Sequence, residues 1–272
     1  TTPGLPFTED FSDTSLKNPD GFTANWSVQN QALLLNFKKA QQLGLKPSTV
    51  TGSDLSDISR NTYSILLADF NGDRYPDVLT SDGPRLYVNN KTSTPFNNVT
   101  AQEVYDAGTS GGSIYAMGYG DVNNDGHLDF VVGTNGSGIK LVLNNGTDNP
   151  FSTIPATSVS NDIDYNHTIK IVDLNGDGLL DIVAGNSREA TNKYYLNTGA
   201  SSLFEGITTG IPISSDASSS YDLEVVDLDN DGDLDVIAAD SIVGNPTKYY
   251  LNFGTATPFS ANTTGTNIST ID

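Results

Sequence analysis

Asp227-Leu228-Asp229-Asn230-Asp231-Gly232-Asp233-Leu234-Asp235 is the stretch whose reading decides the fold. Carboxylates stand at positions 1, 3, 5 and 9 of this loop, and Gly232 follows position 5. Alternate residues of a tight loop point to one side, so short oxygen-bearing side chains at positions 1, 3 and 5 converge. Glycine lets the backbone turn there without a Cβ clash. Asp235 supplies a further side-chain oxygen, and the Asp233 carbonyl at position 7 can fill a gap. An all-oxygen, hard-ligand set of this kind suits Ca²⁺.

The loop occurs three more times. Asp69, Asn71, Asp73 and Asp77 form one copy, with the Tyr75 carbonyl at position 7. Asp121, Asn123, Asp125 and Asp129 form the next, with His127 at position 7. Asp173, Asn175, Asp177 and Asp181 form the third, with Leu179 at position 7. Their first aspartates are spaced 52, 52 and 54 residues apart. An EF-hand needs a glutamate at position 12 and a helix on each side. Position 12 holds Thr80, Val132, Ala184 and Ala238, and each loop runs into an apolar, β-rich segment such as Asp129-Phe130-Val131-Val132. The pattern therefore predicts four Ca²⁺ sites on strand-flanked loops.

A second element repeats in step. Short apolar segments end in asparagine at Asn89, Asn144, Asn197 and Asn252, and each is followed by a phenylalanine, Phe96, Phe151, Phe204 or Phe259. Leu33-Leu34-Leu35-Asn36 adds a fifth copy, and the five asparagines are spaced 53, 55, 53 and 55 residues apart. Gln31 to Leu45 read alone is helix-like, with Lys38, Lys39, Gln41 and Gln42 as good helix formers. The repeat register predicts a strand over 31–37 instead. The first repeat has lost its loop, since Asp13-Thr14-Ser15-Leu16-Lys17 puts a lysine at position 5. Turn residues divide each repeat into four strands: A enters the acidic loop, B leaves it, C ends in asparagine and D follows the phenylalanine. Four-stranded repeats of this period make propeller blades. The expected fold is an all-β propeller of five antiparallel blades in one domain over 1–272, with blades near 1–59, 60–111, 112–164, 165–217 and 218–272.

Asp173-Leu174-Asn175-Gly176-Asp177-Gly178-Leu179-Leu180-Asp181-Ile182-Val183, followed by Tyr194-Tyr195-Leu196-Asn197 and Phe204, resembles the FG-GAP/VCBS repeat. That repeat builds integrin α-chain propellers, many secreted bacterial proteins and fungal lectins. The resemblance covers about 60–272 clearly and 1–59 weakly. It implies a propeller whose A–B loops bind Ca²⁺ on one face. Five blades is fewer than the seven common among such proteins, and the Phe-Gly/Gly-Ala-Pro signature is poorly kept.

The chain has 272 residues, no cysteine and a formal net charge of −20. The four loops hold 13 of its carboxylates, and four Ca²⁺ ions would bring −20 to about −12. Such acidity argues against nucleic acid and anionic membranes as partners. No apolar run approaches membrane-spanning length, and no leader pattern stands at Thr1. Millimolar calcium outside cells favours an extracellular setting, secreted or at the cell surface, or a periplasmic one.

On the face opposite the acidic loops, the residue six before each first aspartate is Tyr63, Tyr115, His167 or Tyr221. Aromatic rims stack on sugar rings, although aromatics also pack blades together. Strand B ends at that face in Asp82, Asn135, Asn186 and Asp240, which can bond sugar hydroxyls or simply form turns. Strand C begins with Arg85, Lys140, Lys193 and Lys248, which can pair with acidic sugars or with nearby aspartates. Three functions fit: a glycan- or polysaccharide-binding module (a lectin or an accessory module of polysaccharide degradation), a polysaccharide lyase or hydrolase using His167 and the tyrosines of the ring, and a protein-binding adhesion module.

Overall fold

The computed structural model describes residues 26–29, 32–35, 55, 61–105, 113–152, 155–217, 219–241, 245–260 and 264–268. Two compact units divide the chain, Thr1–Asp54 and Leu55–Asp272. In the first unit, β1 (Trp26–Gln29) pairs antiparallel with β2 (Ala32–Leu35). The Leu33–Leu35 segment is thus a strand and not a helix. The expectation for residues 13–17 lies outside the described residues.

The second unit holds four four-stranded antiparallel sheets, here named by their first loop aspartate. The Asp69 sheet contains β3 (Ile65–Ala68), β4 (Asp77–Thr80), β5 (Arg85–Tyr87) and β6 (Gln102–Glu103). The Asp121 sheet contains β7 (Ile114–Gly120), β8 (Asp129–Thr134), β9 (Ile139–Val142) and β10 (Thr157–Ser158). The Asp173 sheet contains β11 (Asn166–Val172), β12 (Asp181–Asn186), β13 (Lys193–Tyr195) and β14 (Ile211–Pro212). The Asp227 sheet contains β15 (Ser220–Val226), β16 (Asp235–Asp240), β17 (Lys248–Tyr250) and β18 (Thr266–Asn267). Strands pair in chain order within each sheet, the up-and-down arrangement of a propeller blade.

The core lies between blades. Side chains alternate across a strand, so each strand B feeds two seams. Phe130 and Val132 pack with Phe70, Leu79 and Leu86 of the preceding blade. Val131, between them, packs with Ile169, Ile182 and Tyr195 of the next blade. A third seam joins Leu174, Val183 and Tyr194 to Leu223, Val236 and Phe259. Close approach fixes glycine at Gly185, where a Cβ would lie 2.4 Å from Thr168 Cγ2. Two apolar surfaces of the unit stay open. Ile65 and Leu67 of β3 are 57% and 61% exposed. Leu228, Ile237, Tyr249, Leu251 and Ile268 line an open groove of about 430 Å³ beside the Asp227 blade.

Candidate functional site

Each A–B loop closes on itself by the same hydrogen bonds. The first aspartate accepts the position 5 N–H on one oxygen and the position 6 N–H on the other: Asp73 and Arg74 on Asp69, Asp125 and Gly126 on Asp121, Asp177 and Gly178 on Asp173, Asp231 and Gly232 on Asp227. Positions 4 and 6 are left-handed in all four loops, which explains Gly72, Asn124, Gly176 and Asn230 as much as the glycines at position 6. Arg74, at φ 72°, is the exception that takes this conformation with a long side chain.

Position 9 is buried in every copy. Asp77, Asp129, Asp181 and Asp235 are at most 1% exposed. Each accepts the position 2 N–H on one oxygen and the N–H of the strand C asparagine on the other, at 2.8–3.1 Å. Burial first, then the charges of Asp121 and Asp125, push Asp129 up to about 6. Burial, then Asp177 and Asp173, do the same to Asp181, and Asp77 is also raised.

These residues fit a hard divalent cation. In the Asp227 loop, carboxylate oxygens of Asp227, Asp229 and Asp235 all lie within 4.8 Å of one another. Among the described residues this is the one cluster of three acidic or histidine side chains so gathered. In the other loops an asparagine takes position 3 and donates its amide to the position 5 carboxylate: Asn71 to Asp73, Asn123 to Asp125 and Asn175 to Asp177, at 2.8–3.0 Å. Lys91 also reaches Asp73 at 3.1 Å. Position 7 side chains lie against the C–D turns: a Cβ on Gly146 would meet the His127 ring, one on Gly199 would meet Leu179, and one on Gly254 would meet Asp233. The Lys91 ammonium lies 5.9 Å from the Tyr75 ring centroid. A–B loops and C–D turns therefore share a face.

The strand C asparagine proves to be a clasp between blades. Asn144, Asn197 and Asn252 donate to the position 8 carbonyl of their own loop. They also donate to the position 2 carbonyl of the preceding blade: Phe70, Val122 and Leu174, at 2.8–2.9 Å. A second clasp lies at the other end of the blades. Asp162, after β10, accepts Lys193 Nζ at 3.0 Å, Tyr195 Oη at 3.0 Å and Gly210 N at 2.6 Å from the next blade. Asp216 repeats this with Lys248 at 3.0 Å, Tyr250 at 3.2 Å and Gly265 at 2.7 Å. Sequence reasoning missed both aspartates, although Ser160-Asn161-Asp162 and Ser214-Ser215-Asp216 recur one repeat apart.

Tyr63, Tyr115, His167 and Tyr221 come together as a ladder across four blades. Their successive ring centroids are 4.5, 4.6 and 4.3 Å apart, with Tyr115 and His167 stacked within 8°. Register shifts between Ile114 and Ala116, Asn166 and Thr168, and Ser220 and Asp222 make Tyr115, His167 and Tyr221 the extra residues of β-bulges. A bulge re-aims its side chain, which brings these rings to one line. The end rings stay open, Tyr63 at 50% and Tyr221 at 55% exposure. Burial, then the charge of Arg188, lower the His167 pKa.

The neighbouring candidates divide. Asp82 is buried and takes the Thr80 hydroxyl and Arg85. Asn186 is fully buried and bonds Asn166, Thr191 and Asp164. Both act as turn formers, enclosed within their blades. Asn135 reaches the Tyr115 hydroxyl at 3.3 Å, while its Oδ1 is buried without a hydrogen-bond partner. Asp240 accepts Asn245 at 3.0 Å at a small polar pocket with Asp216, Ser220 and Lys248. Of the strand C cations, Arg85, Lys193 and Lys248 pair with aspartates, and Lys140 donates to Ser158 at 2.7 Å. Arg188, beside the ladder, escaped the sequence reading because its turn has no counterpart in the other repeats.

The pattern of the FG-GAP-like repeat matches residues 69–132, 121–184 and 173–238, more than half of the chain. Each match opens on a first-position aspartate. No curated protein matches. Among solved structures the chain is similar to an Agrocybe aegerita lectin described as recognising non-reducing terminal N-acetylglucosamine. Identity is 23% and the TM-score 0.44, over 66% of this chain and 48% of the lectin. It is also similar to the V. cholerae biofilm matrix protein Bap1, at 16% identity and a TM-score of 0.37, over 66% of this chain and 28% of that one. The match thus spans about half of the first structure and under a third of the second.

Proposed function

The chain belongs to the FG-GAP-like repeat family, and we propose that it is a calcium-stabilised β-propeller module that binds carbohydrate outside the cell. The observation that carries this reading is the Tyr63–Tyr115–His167–Tyr221 ladder on the face away from the acidic loops. Its inner rings are stacked on one another, so they bind through edges and polar tips. Its half-exposed ends, Tyr63 and Tyr221, keep ring surface for the C–H face of a sugar. Asn135 and Asp240 flank the ladder as hydrogen-bonding groups. Contacts of this kind are each worth on the order of 1 kcal/mol, which gives weak single sites and useful binding through several at once.

Calcium is the structural partner in this reading. The side chains of Asp69, Asn71, Asp73 and Asp77 and their counterparts in the other three loops would hold it, joined by the position 7 carbonyls. The ion would supply positive charge to carboxylates that otherwise repel one another. Residues 1–59 are the fifth blade in this proposal. The open apolar surfaces at Ile65 and Leu67, and along Leu228, Ile237 and Tyr249, support a further blade.

The test is retention on immobilised glycans. Tyr221→Ala should weaken retention and leave the melting curve unchanged. Binding kept intact with a fold destabilised by several kcal/mol would make the ladder core and remove the reading. Turnover of a polysaccharide abolished by His167→Ala would replace it with the lyase or hydrolase.

A further inference from the structure

Among the described residues, most of the cations are claimed by carboxylates. Arg85, Lys91, Lys170, Lys193 and Lys248 all lie 2.6–3.5 Å from an aspartate or glutamate oxygen. Arg188 is treated differently. Its guanidinium carbon stands 3.6 Å from the centroid of the Tyr165 ring, and among the described residues no carboxylate pairs with it. Arg74 and Lys140 also lack an ion pair, but Arg74 sits in an acidic loop on the opposite face and Lys140 donates to Ser158 Oγ at 2.7 Å.

The turn that presents Arg188 is built for the purpose of holding it out. Arg188 and Glu189 are both left-handed at φ 61°, a conformation that side-chain-bearing residues rarely adopt, least of all in succession. Hydrogen bonds fix the turn at both ends, Ser187 N to the Tyr165 carbonyl at 3.0 Å and Glu189 N to Ser219 Oγ at 3.4 Å. Tyr165 in turn rests against Gly136, where a Cβ would lie 3.4 Å from the ring. The guanidinium is therefore positioned by a ring face while its side chain stays exposed. Stacking occupies the plane of the group and leaves its N–H edge free. That edge is a rigid fork matched to two oxygens of one anion.

Tyr165 lies two residues before His167 and pairs in an isolated bridge with Asn135, which donates to the Tyr115 hydroxyl of the ladder at 3.3 Å. The fork and the aromatic ladder thus serve one surface. We propose that Arg188, stacked on Tyr165 beside the His167 rung, is the subsite for the anionic group of an acidic sugar, a carboxylate or sulfate on a glycan whose ring lies along the ladder. This rests on the carbohydrate-binding reading and names its ligand class. The selectivity is local, because a net charge of −20 repels polyanions elsewhere on the molecule.

The experiment compares three oligosaccharides of equal length, one neutral, one containing glucuronate and one sulfated, with calcium present throughout. Parent, Arg188→Gln, Arg188→Lys and Tyr221→Ala proteins are measured on each, with melting curves alongside. Arg188→Gln should lose about tenfold or more on a charged glycan and nothing on the neutral one, the loss of a charge-assisted contact. Arg188→Lys keeps the charge without the fork and should recover only part of it. The arm that responds identifies the group as carboxylate or sulfate. Parent-like binding of Arg188→Gln to both charged glycans overturns the subsite while Tyr221→Ala still reports on the ladder. Failure of the parent to bind any of the three, or binding only to an acidic peptide, overturns both readings together.

Discussion

Asn197→Ala tests the seam between two blades. The side chain is 3% exposed. It donates to the Val122 carbonyl at 2.9 Å and the Leu180 carbonyl at 3.2 Å, and accepts the Gly199 N–H at 3.0 Å. Alanine leaves the buried Val122 carbonyl without a partner and the half-buried Leu180 carbonyl with one fewer, while the exposed Gly199 N–H can turn to water. At about 1 kcal/mol net for each of the two carbonyl bonds, the loss is about 2 kcal/mol, and more where the Val122 carbonyl stays fully dry. For a chain of this size that lowers the melting temperature by about 4–8 °C. Asn197→Asp should be worse. It keeps the acceptor for Gly199 but turns both donations into a carboxylate facing carbonyls, with Asp181 bonded to its own N–H. Asn90→Ala is the control. Asn90 donates to the Thr94 and Asn97 carbonyls at 3.1 Å and accepts Thr92 N–H, yet it is exposed, so water replaces what is lost. Thermal and denaturant melts of the three variants decide the matter. Equal losses at Asn90 and Asn197, or Asn197→Asp more stable than Asn197→Ala, would refute the argument.

Three further outcomes are expected. Chelation should lower the melting temperature by several degrees or more, since one site held at 100 times its Kd adds about 2.7 kcal/mol; metal analysis near zero, or an unmoved melt, removes calcium. Asp162 sets an acid limit: burial alone would raise its pKa, but the Gly210 N–H, the Thr209 hydroxyl and Lys193 hold it below 3.8. Its contribution is therefore complete above that ordinary value and lost as pH falls through the lower native one. Asp162→Asn should melt lower than the parent at neutral pH and lose less on acidification below about pH 4; parallel pH profiles would refute this. If residues 1–59 form the proposed fifth blade, deleting them should lower the melting temperature or cause self-association, and a truncated chain that stays monomeric and melts like the parent shows they are no blade.

The repeat made the fold legible. Four loops in step locate strands A and B, and four Tyr/Leu-rich segments ending in asparagine locate strand C. Even the Leu33–Leu35 strand was readable by register against its helix-like composition. The aromatic row was legible as a row, but its close stacking and the bulges beneath it were not. A bulge leaves no mark in a pattern of apolar and polar residues. The asparagine was visible as a repeat without its reason, because its partner carbonyls lie 74, 75 and 78 residues away. Asp162 and Asp216 were hidden for the same cause: each belongs to one repeat and works in the next. Arg188 could not be found by periodicity, since it occurs once.

The asparagine clasps all run one way, and each ties a loop that would hold an ion in the calcium proposal to the loop of the preceding blade. Asp181 closes the Asp173 loop and fixes Asn197 by its N–H. Asn197 grips the Val122 carbonyl, and the Val122 N–H is held by Asp129, which closes the Asp121 loop. Two neighbouring loops are thus joined through one side chain and the backbone of one residue, Val122. An ion that stiffens the Asp173 loop also stiffens the backbone framing its predecessor, and by linkage the reverse holds. Filling should then be steeper than for independent sites, and Asn197→Ala should flatten the isotherm by uncoupling one pair.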